Sequence, residues 1–499
     1  MISGAKHKSL GSTTSSSRTR PSCLAQLGDL PGLSVTTLED LSTEQKEAVL
    51  IDVGQVCRKL TDDLGVKWKP QPVDSALRQQ TIQWIKTEIE PAIGKSVDKR
   101  FLISTDAGLT YTERVYEGGD FETKASMVKY VSVAIYLDDM IDKDEGMAKR
   151  AESFLVGMLQ RDNVGNTEIM QDVDVDSHAT WLEVYRRVSV ELASHMSDPL
   201  VSNMLLHSCT LFIEGCALEH YIQQDQAKYF LINDAETERT RDAAEKRLAT
   251  EKGREIPLPL DNDRSSATPN DDFSADGRIG DDHLVPHGWP IWLRERSAVA
   301  ETFAITSFCA APGGVEVPTW LWVTAISELR TIILSTNDVL SFAKELLADD
   351  STSSIAVLTK ERRLIGMPGT APDGGWCLRD TFDEVMSKIL VAGARINRLL
   401  RPSNPEARYG DDGRVYSLDE LAAIVKERPE NAGNGESMKA LALRLWETHQ
   451  RGYVAWHFQC TRYRTFELFD WVRDMMGGKP VEGPEWLTKS FPEAMAGKR

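Results

Sequence analysis

The chain has 499 residues, enough for a large core or for two or three domains, and it carries a net charge of −18 with a pI near 5.1. This acidity argues against nucleic acid as the main partner, because phosphate-backbone binding needs a basic face; a small anion held through metal ions stays open. No apolar run approaches 18 residues, so no membrane span is expected.

The seven cysteines, Cys23, Cys57, Cys209, Cys216, Cys309, Cys377 and Cys460, are scattered and show no CxxC pair. That pattern suits a reducing, cytoplasmic setting better than a disulfide framework or a zinc site. In chain order, residues 1–40 read as a disordered tail. Its beginning is Ser-rich and basic without an apolar stretch, which excludes a secretory signal; an organelle transit peptide would share that composition. Residues 41–499 read as a single α-helical domain. Leu77, Thr81, Ile82, Ile85 and Ile89 keep helical spacing, with Ser75 as the expected cap and Pro91 as the expected stop. An apolar helix over 131–140 runs into acids, and 203–221 is another mostly apolar helix, with Gly215 marking either a kink or a close packing contact. Residues 224–287 turn charged and read as a disordered insertion, with a helix polar all round possible over 235–251. Further helices are expected over 298–311, 320–347, 379–400 and 438–476. A loop is expected over 402–436, with a short helix near 417–425. Alternating strand patterns and hairpin signals are scarce, so the fold is expected to be all-α.

Two stretches carry chemistry. In Tyr136-Leu-Asp-Asp-Met-Ile-Asp142, the carboxylates of Asp138, Asp139 and Asp142 lie three or four residues apart and point broadly the same way on a helix. Like charges at that spacing repel, which invites a cation, and an oxygen-only set suits Mg²⁺. A solvated helix end is the alternative. In Asn337-Asp-Val-Leu-Ser-Phe-Ala-Lys-Glu345, the residues Asn337, Ser341 and Glu345 fall at i, i+4 and i+8. Each such step drifts only about 40° around the axis, so an amide, a hydroxyl and a carboxylate form one stripe on an otherwise apolar helix. Two oxygen sets on two helices of one bundle could clamp metal ions between them.

These residues resemble the class I terpene synthases, and within them the fungal trichodiene synthase group. Asp138-Asp-Met-Ile-Asp142 matches the aspartate-rich motif, and Asn337 to Glu345 matches the NSE motif, including the lysine before the glutamate. Gly452-Tyr-Val-Ala-Trp-His457 with Arg462-Tyr463 resembles the C-terminal segment of that group. Phe212 to Tyr221 and Trp289-Pro-Ile-Trp-Leu-Arg294 resemble two further segments, the second supplying a diphosphate-sensing arginine. The resemblance covers roughly 75–477; the tail and the 224–287 insertion depart from it. It implies an α-helical bundle around a central active-site cavity and three Mg²⁺ ions held by Asp138, Asp139, Asp142, Asn337, Ser341 and Glu345. It further implies farnesyl diphosphate as substrate, with Arg294, Lys344, Arg462 and Tyr463 as diphosphate donors, and a homodimer.

The implied reaction ionises the substrate and cyclises the carbocation, giving a trichodiene-like hydrocarbon or a longiborneol-type alcohol. Phe101, Tyr136, Phe212, Trp320 and Trp456 are candidates for the cavity wall, with ordinary core packing as the alternative. His220, His449 and His457 are possible bases, and none is assigned. Two other functions stay open: a chain-elongating prenyltransferase, which would carry a second DDxxD in place of the Asn337 motif, and a non-catalytic helical protein whose acids bind a metal or a partner.

Overall fold

The computed structural model describes residues 22–70, 72–154, 177–221, 294–296, 299–309, 311–350, 353–410, 412–427, 435–478 and 485–496. The expected insertion at 224–287, the 235–251 helix and the first part of the expected tail lie outside them. Within them the fold is all-α, and only two isolated bridges, Pro368 with Gly375 and Tyr409 with Val415, depart from helix and loop. The longer helices are α1 (Thr43–Asp63), α2 (Ser75–Trp84), α3 (Lys99–Val115), α4 (Phe121–Lys143), α5 (Ser177–Ser194), α6 (Pro199–Tyr221), α7 (Ala300–Cys309), α8 (Ile326–Leu347), α9 (Ser354–Leu364), α10 (Leu378–Leu400), α11 (Leu418–Glu427) and α12 (Glu436–Gln459). All seven cysteines are free thiols.

Several boundaries differ from expectation for identifiable reasons. Asp74, not Ser75, caps α2, its carboxylate accepting from the Ala76 amide at 2.7 Å. Pro91 does not stop the run: a π turn over Ile85–Ile89 leads into a short helix, Glu90–Ile93, where proline needs no amide donor, and Gly94 ends it in the left-handed region. The helix expected over 320–347 is interrupted by a 3-10 turn at Val323–Ala325. The one expected over 438–476 breaks at Cys460. α6 runs through Gly215 without interruption.

The tail reading ended too late. From Ser22 the chain is packed: Leu24, Leu30 and Leu33 are buried, and Asp383 of α10 accepts from the Ser22 hydroxyl at 2.7 Å and the Leu24 amide at 2.9 Å. The Gly32 amide donates to Asp52 of α1 at 2.7 Å. An averaged polar composition hides three leucines spaced to fill grooves. α6 bears on the membrane expectation, since its apolar length went unnoticed in the sequence. Among the described residues it alone is long and apolar enough to span a bilayer, with a mean hydropathy of 1.2 in its most apolar window. More than half of that window is buried in the protein, and the Tyr185 hydroxyl of α5 donates to its Cys209 carbonyl at 3.0 Å. It packs as a bundle helix.

Helix α3 is the centre of the packing, with α4 along one side and α12 along another. Both seams use a missing side chain. A Cβ on Gly108 of α3 would meet Ser132 of α4 at 2.7 Å, and one on Gly452 of α12 would lie 1.9 Å from the Arg114 carbonyl oxygen of α3. α12 packs in turn on α8, and α8 packs on α7 and α10, so a chain of contacts runs from α4 through α3 and α12 to α8. A short late helix, Glu485–Ser490, docks by Trp486, whose indole N–H donates to the buried Asp106 of α3 at 2.8 Å.

Two outcomes are expected. Gly452→Ala forces the α3–α12 backbones apart and should lower stability by about 3 kcal/mol or more. Gly393→Ala is the control, because its nearest outside atom is 3.7 Å away; a urea midpoint for Gly452→Ala equal to that of the control would refute the close-approach argument. Burial raises the Asp106 pKa to about 6 from 3.8. The folded state therefore prefers the neutral acid, so stability falls as pH rises from about 4 to 6. Asp106→Asn, which keeps an acceptor for Trp486, should gain on the wild type across that window by up to about 3 kcal/mol. Urea melts at pH 4 and 7 would read the gap, and a gap that does not change with pH contradicts the assignment.

Candidate active site

The acids of α4 lie in its last two turns, and the stripe of α8 runs along its second half. Three distant segments bring them to one place. The first is the break after α12. Cys460 is extended, Thr461–Tyr463 form a 3-10 turn, and Arg464 takes a positive φ of 57°. This reversal sends Arg462 toward α4 and Tyr463 toward α8. The Arg462 guanidinium donates to both oxygens of Asp139, at 2.7 and 2.9 Å, and lies 3.9 Å from Asp138. Burial opposes charge on Asp139, but the two bonds and the charge of Arg462 prevail and lower its pKa.

The second is Arg294. Its Nε donates to Asp338 at 2.8 Å and its Nη2 to the Asn337 amide oxygen at 2.6 Å. Desolvation works against its charge, and the carboxylates of Asp338, Glu219 and Glu345 outweigh that and hold it ionised. The third is α12 itself. His457 Nε2 lies 3.0 Å from Asn337 Nδ2, which also donates to the Tyr463 hydroxyl at 3.3 Å.

Between these pairs lie the remaining groups. The Ser341 hydroxyl donates to the Glu345 carboxylate one turn on. Lys344 has no ion-pair partner among the described residues, and its ammonium sits 5.9 Å from the centre of the Tyr463 ring. Burial and then Arg462 push its pKa down, while Glu345, Asp139 and Asp138 pull it up. Asp138 is half-buried, with 47% of its side chain accessible. Desolvation and the neighbouring Asp139 raise its pKa. Burial raises that of Glu345 to about 7.

Nine of the ten sequence-expected residues therefore share one electrostatic cluster; Asp142 is exposed near the end of α4, its carbonyl 3.1 Å from the His220 ring nitrogen. Among the described residues, no group of three or more His, Cys, Asp or Glu side chains is gathered closely enough to hold a metal ion. Asp139 has both oxygens taken by Arg462; Asn337 accepts one bond from Arg294 and Glu345 one from Ser341, so the oxygens with acceptor capacity to spare are those of Asp138, Asn337, Ser341 and Glu345. Of the aromatic candidates, Phe101, Tyr136, Phe212 and Trp456 are buried among other rings, whereas Trp320 is 60% exposed. His449 and His457 are buried, which lowers both pKa values to about 3.

Sequence reasoning missed three partners. Asp338 lies about 100° around the helix from Asn337, off the stripe, where it meets Arg294. His457 was weighed only as a base, and the Cys216 thiol, which donates to Asp138 at 3.5 Å, had no visible signal.

The raised Glu345 pKa has a direct consequence. Folding favours its neutral form, so stability is lost as pH rises from about 4.5 to 7. Without divalent cations, Glu345→Gln should match the wild type near pH 4.5 and exceed it above pH 7. The gain should be about 1–2 kcal/mol, since part of the side chain stays accessible and solvent screens it. Thermal melts in chelator at the two pH values measure this; a variant less stable than wild type at pH 7.5 contradicts it. Comparison of the chain with models of known protein families and with curated proteins finds no match.

Proposed function

We propose that this protein is a class I terpene cyclase that ionises farnesyl diphosphate and closes the resulting carbocation into a sesquiterpene. One observation carries the reading. Segments more than a hundred residues apart, the α4 acids, the α8 stripe and the Arg462-Tyr463 turn, converge on one cluster of oxygen acceptors and cationic donors.

The donor set fits a hard divalent cation. Asp138, Asn337, Ser341 and Glu345 offer oxygen only, and the raised pKa values of Asp138 and Glu345 mark carboxylates whose negative charge is under-compensated. These four residues would hold magnesium, which when bound adds positive charge against the diphosphate oxygens. The cationic residues do complementary work. Arg462 uses two of its five N–H donors on Asp139, and Arg294 uses two on Asp338 and Asn337, so each keeps three for a diphosphate. Lys344 contributes a point charge with no competing partner, and the Tyr463 hydroxyl adds one donor. Together they stabilise the leaving group as the allylic C–O bond breaks and the bonding pair passes to oxygen. The cation left behind then cyclises and ends by losing a proton or gaining a hydroxyl from water.

The direct assay incubates the purified protein with farnesyl diphosphate and Mg²⁺, measures diphosphate release, and analyses the organic extract. A cyclic C15 product is expected. Longer diphosphates on adding isopentenyl diphosphate would instead point to chain elongation. Asp138→Ala, Asn337→Ala and Glu345→Ala should each cut turnover by orders of magnitude with unchanged helicity by circular dichroism. Near wild-type turnover in the Asn337 and Glu345 variants would sink the assignment.

A further inference from the structure

Asn337 has two chemically opposite ends, and which end faces the cluster decides whether it can serve a cation. Four groups in series fix the answer. At one end is Arg294, whose guanidinium can only donate, so the Asn337 atom 2.6 Å from its Nη2 must be the amide oxygen. The amide nitrogen then faces His457 Nε2 at 3.0 Å, and an NH₂ group can only donate. Nε2 must therefore carry a lone pair. At the other end, His457 Nδ1 lies 2.8 Å from the Tyr453 carbonyl, which can only accept, so Nδ1 bears the proton. Donation runs one way: His457 Nδ1–H to the Tyr453 carbonyl, Asn337 NH₂ to His457 Nε2, and Arg294 to the Asn337 oxygen. Every link agrees with both fixed ends, and no other tautomer or amide orientation satisfies them all.

We propose that His457 is a positioning residue which, locked by the Tyr453 carbonyl as its Nδ1–H tautomer, holds the Asn337 amide with its oxygen toward Arg294, whose single bond leaves that oxygen one lone pair for a cation. This inference rests on the function proposed above. The second N–H of Asn337 extends the effect. It donates to the Tyr463 oxygen at 3.3 Å, which occupies a lone pair there and leaves the phenol proton free to point at an incoming anion. One buried imidazole thus sets the polarity of an acceptor and, through it, of a donor. The ring is held for this purpose on both sides: it lies 4.4 Å from the Tyr463 ring centroid and 4.7 Å from that of Tyr453. Neither the role of a general base nor a change of protonation is involved, because the Nε2 lone pair is already used by Asn337.

The test has two readings. In the unliganded wild type, ¹⁵N NMR of histidine-labelled protein should show His457 protonated at Nδ1 and bare at Nε2; a signal protonated at Nε2 overturns the proposal. The second measures the affinity for inorganic pyrophosphate with Mg²⁺ by thermal shift. His457→Phe, which cannot accept a hydrogen bond, should bind at least about tenfold more weakly. His457→Gln, whose side-chain oxygen can accept from Asn337, should recover most of that loss. Binding by His457→Phe equal to wild type overturns the positioning role alone. No magnesium-dependent shift in the wild type itself overturns the functional reading on which the role rests.

Discussion

The fork of Arg462 around Asp139 joins two parts of the chain more than three hundred residues apart, and much of the site's geometry follows from it. A guanidinium has only donors and a carboxylate only acceptors, so two near-parallel bonds fix distance and plane together. In a chain with a net charge of −18, Arg462 adds to Arg294 and Lys344 the positive charge that offsets the α4 acids and Glu345. The pair also depends on features remote from it. Arg462 reaches α4 only because α12 ends at Gln459 and the chain reverses through Arg464. α12 in turn lies close enough to α3 only because position 452 has no side chain.

The helical class and the two oxygen-bearing stretches were legible from periodicity, since a period of 3.6 is a local property and a stripe at i, i+4, i+8 is visible without a structure. The partners of those residues were less legible. Asp338 points away from the stripe, and the angular rule that revealed Asn337, Ser341 and Glu345 is what set it aside. The Cys216 contact with Asp138 joins positions 78 apart in sequence and rests on the packing of α6, which no local pattern encodes. Breaks inside apolar runs were the other blind spot. A run over 438–476 looks continuous by composition, but its functional content lies in the interruption at Cys460. The π turn at Ile85–Ile89 hides in the same way, because it keeps the residues helical while shifting their register.

The arginines make the cluster adaptable as well as ordered. Each keeps part of its donor fork uncommitted while it neutralises a carboxylate, so an anion can be accepted without first breaking an ion pair. This spares the large penalty of exposing a buried charge without a partner. Lys344 is the complementary case: it stands without an ion pair among the described residues, and an arriving anion would find it uncommitted.

The clip between Ser22 and Asp383 bears on how the chain is made. Its two ends lie 361 residues apart in sequence. During synthesis at about 5–20 residues per second, the segment with Leu24, Leu30 and Leu33 waits roughly 20–70 s for α10 to emerge. α1 is available early, through Asp52 and the Gly32 amide, so the segment's packing on α1 can form long before its contacts with α10. In the interval three leucines stand partly uncovered, where a chaperone that binds short apolar stretches would find them. Closure of the clip waits on α10 but not on α12 or the Arg462 turn, which are made later still.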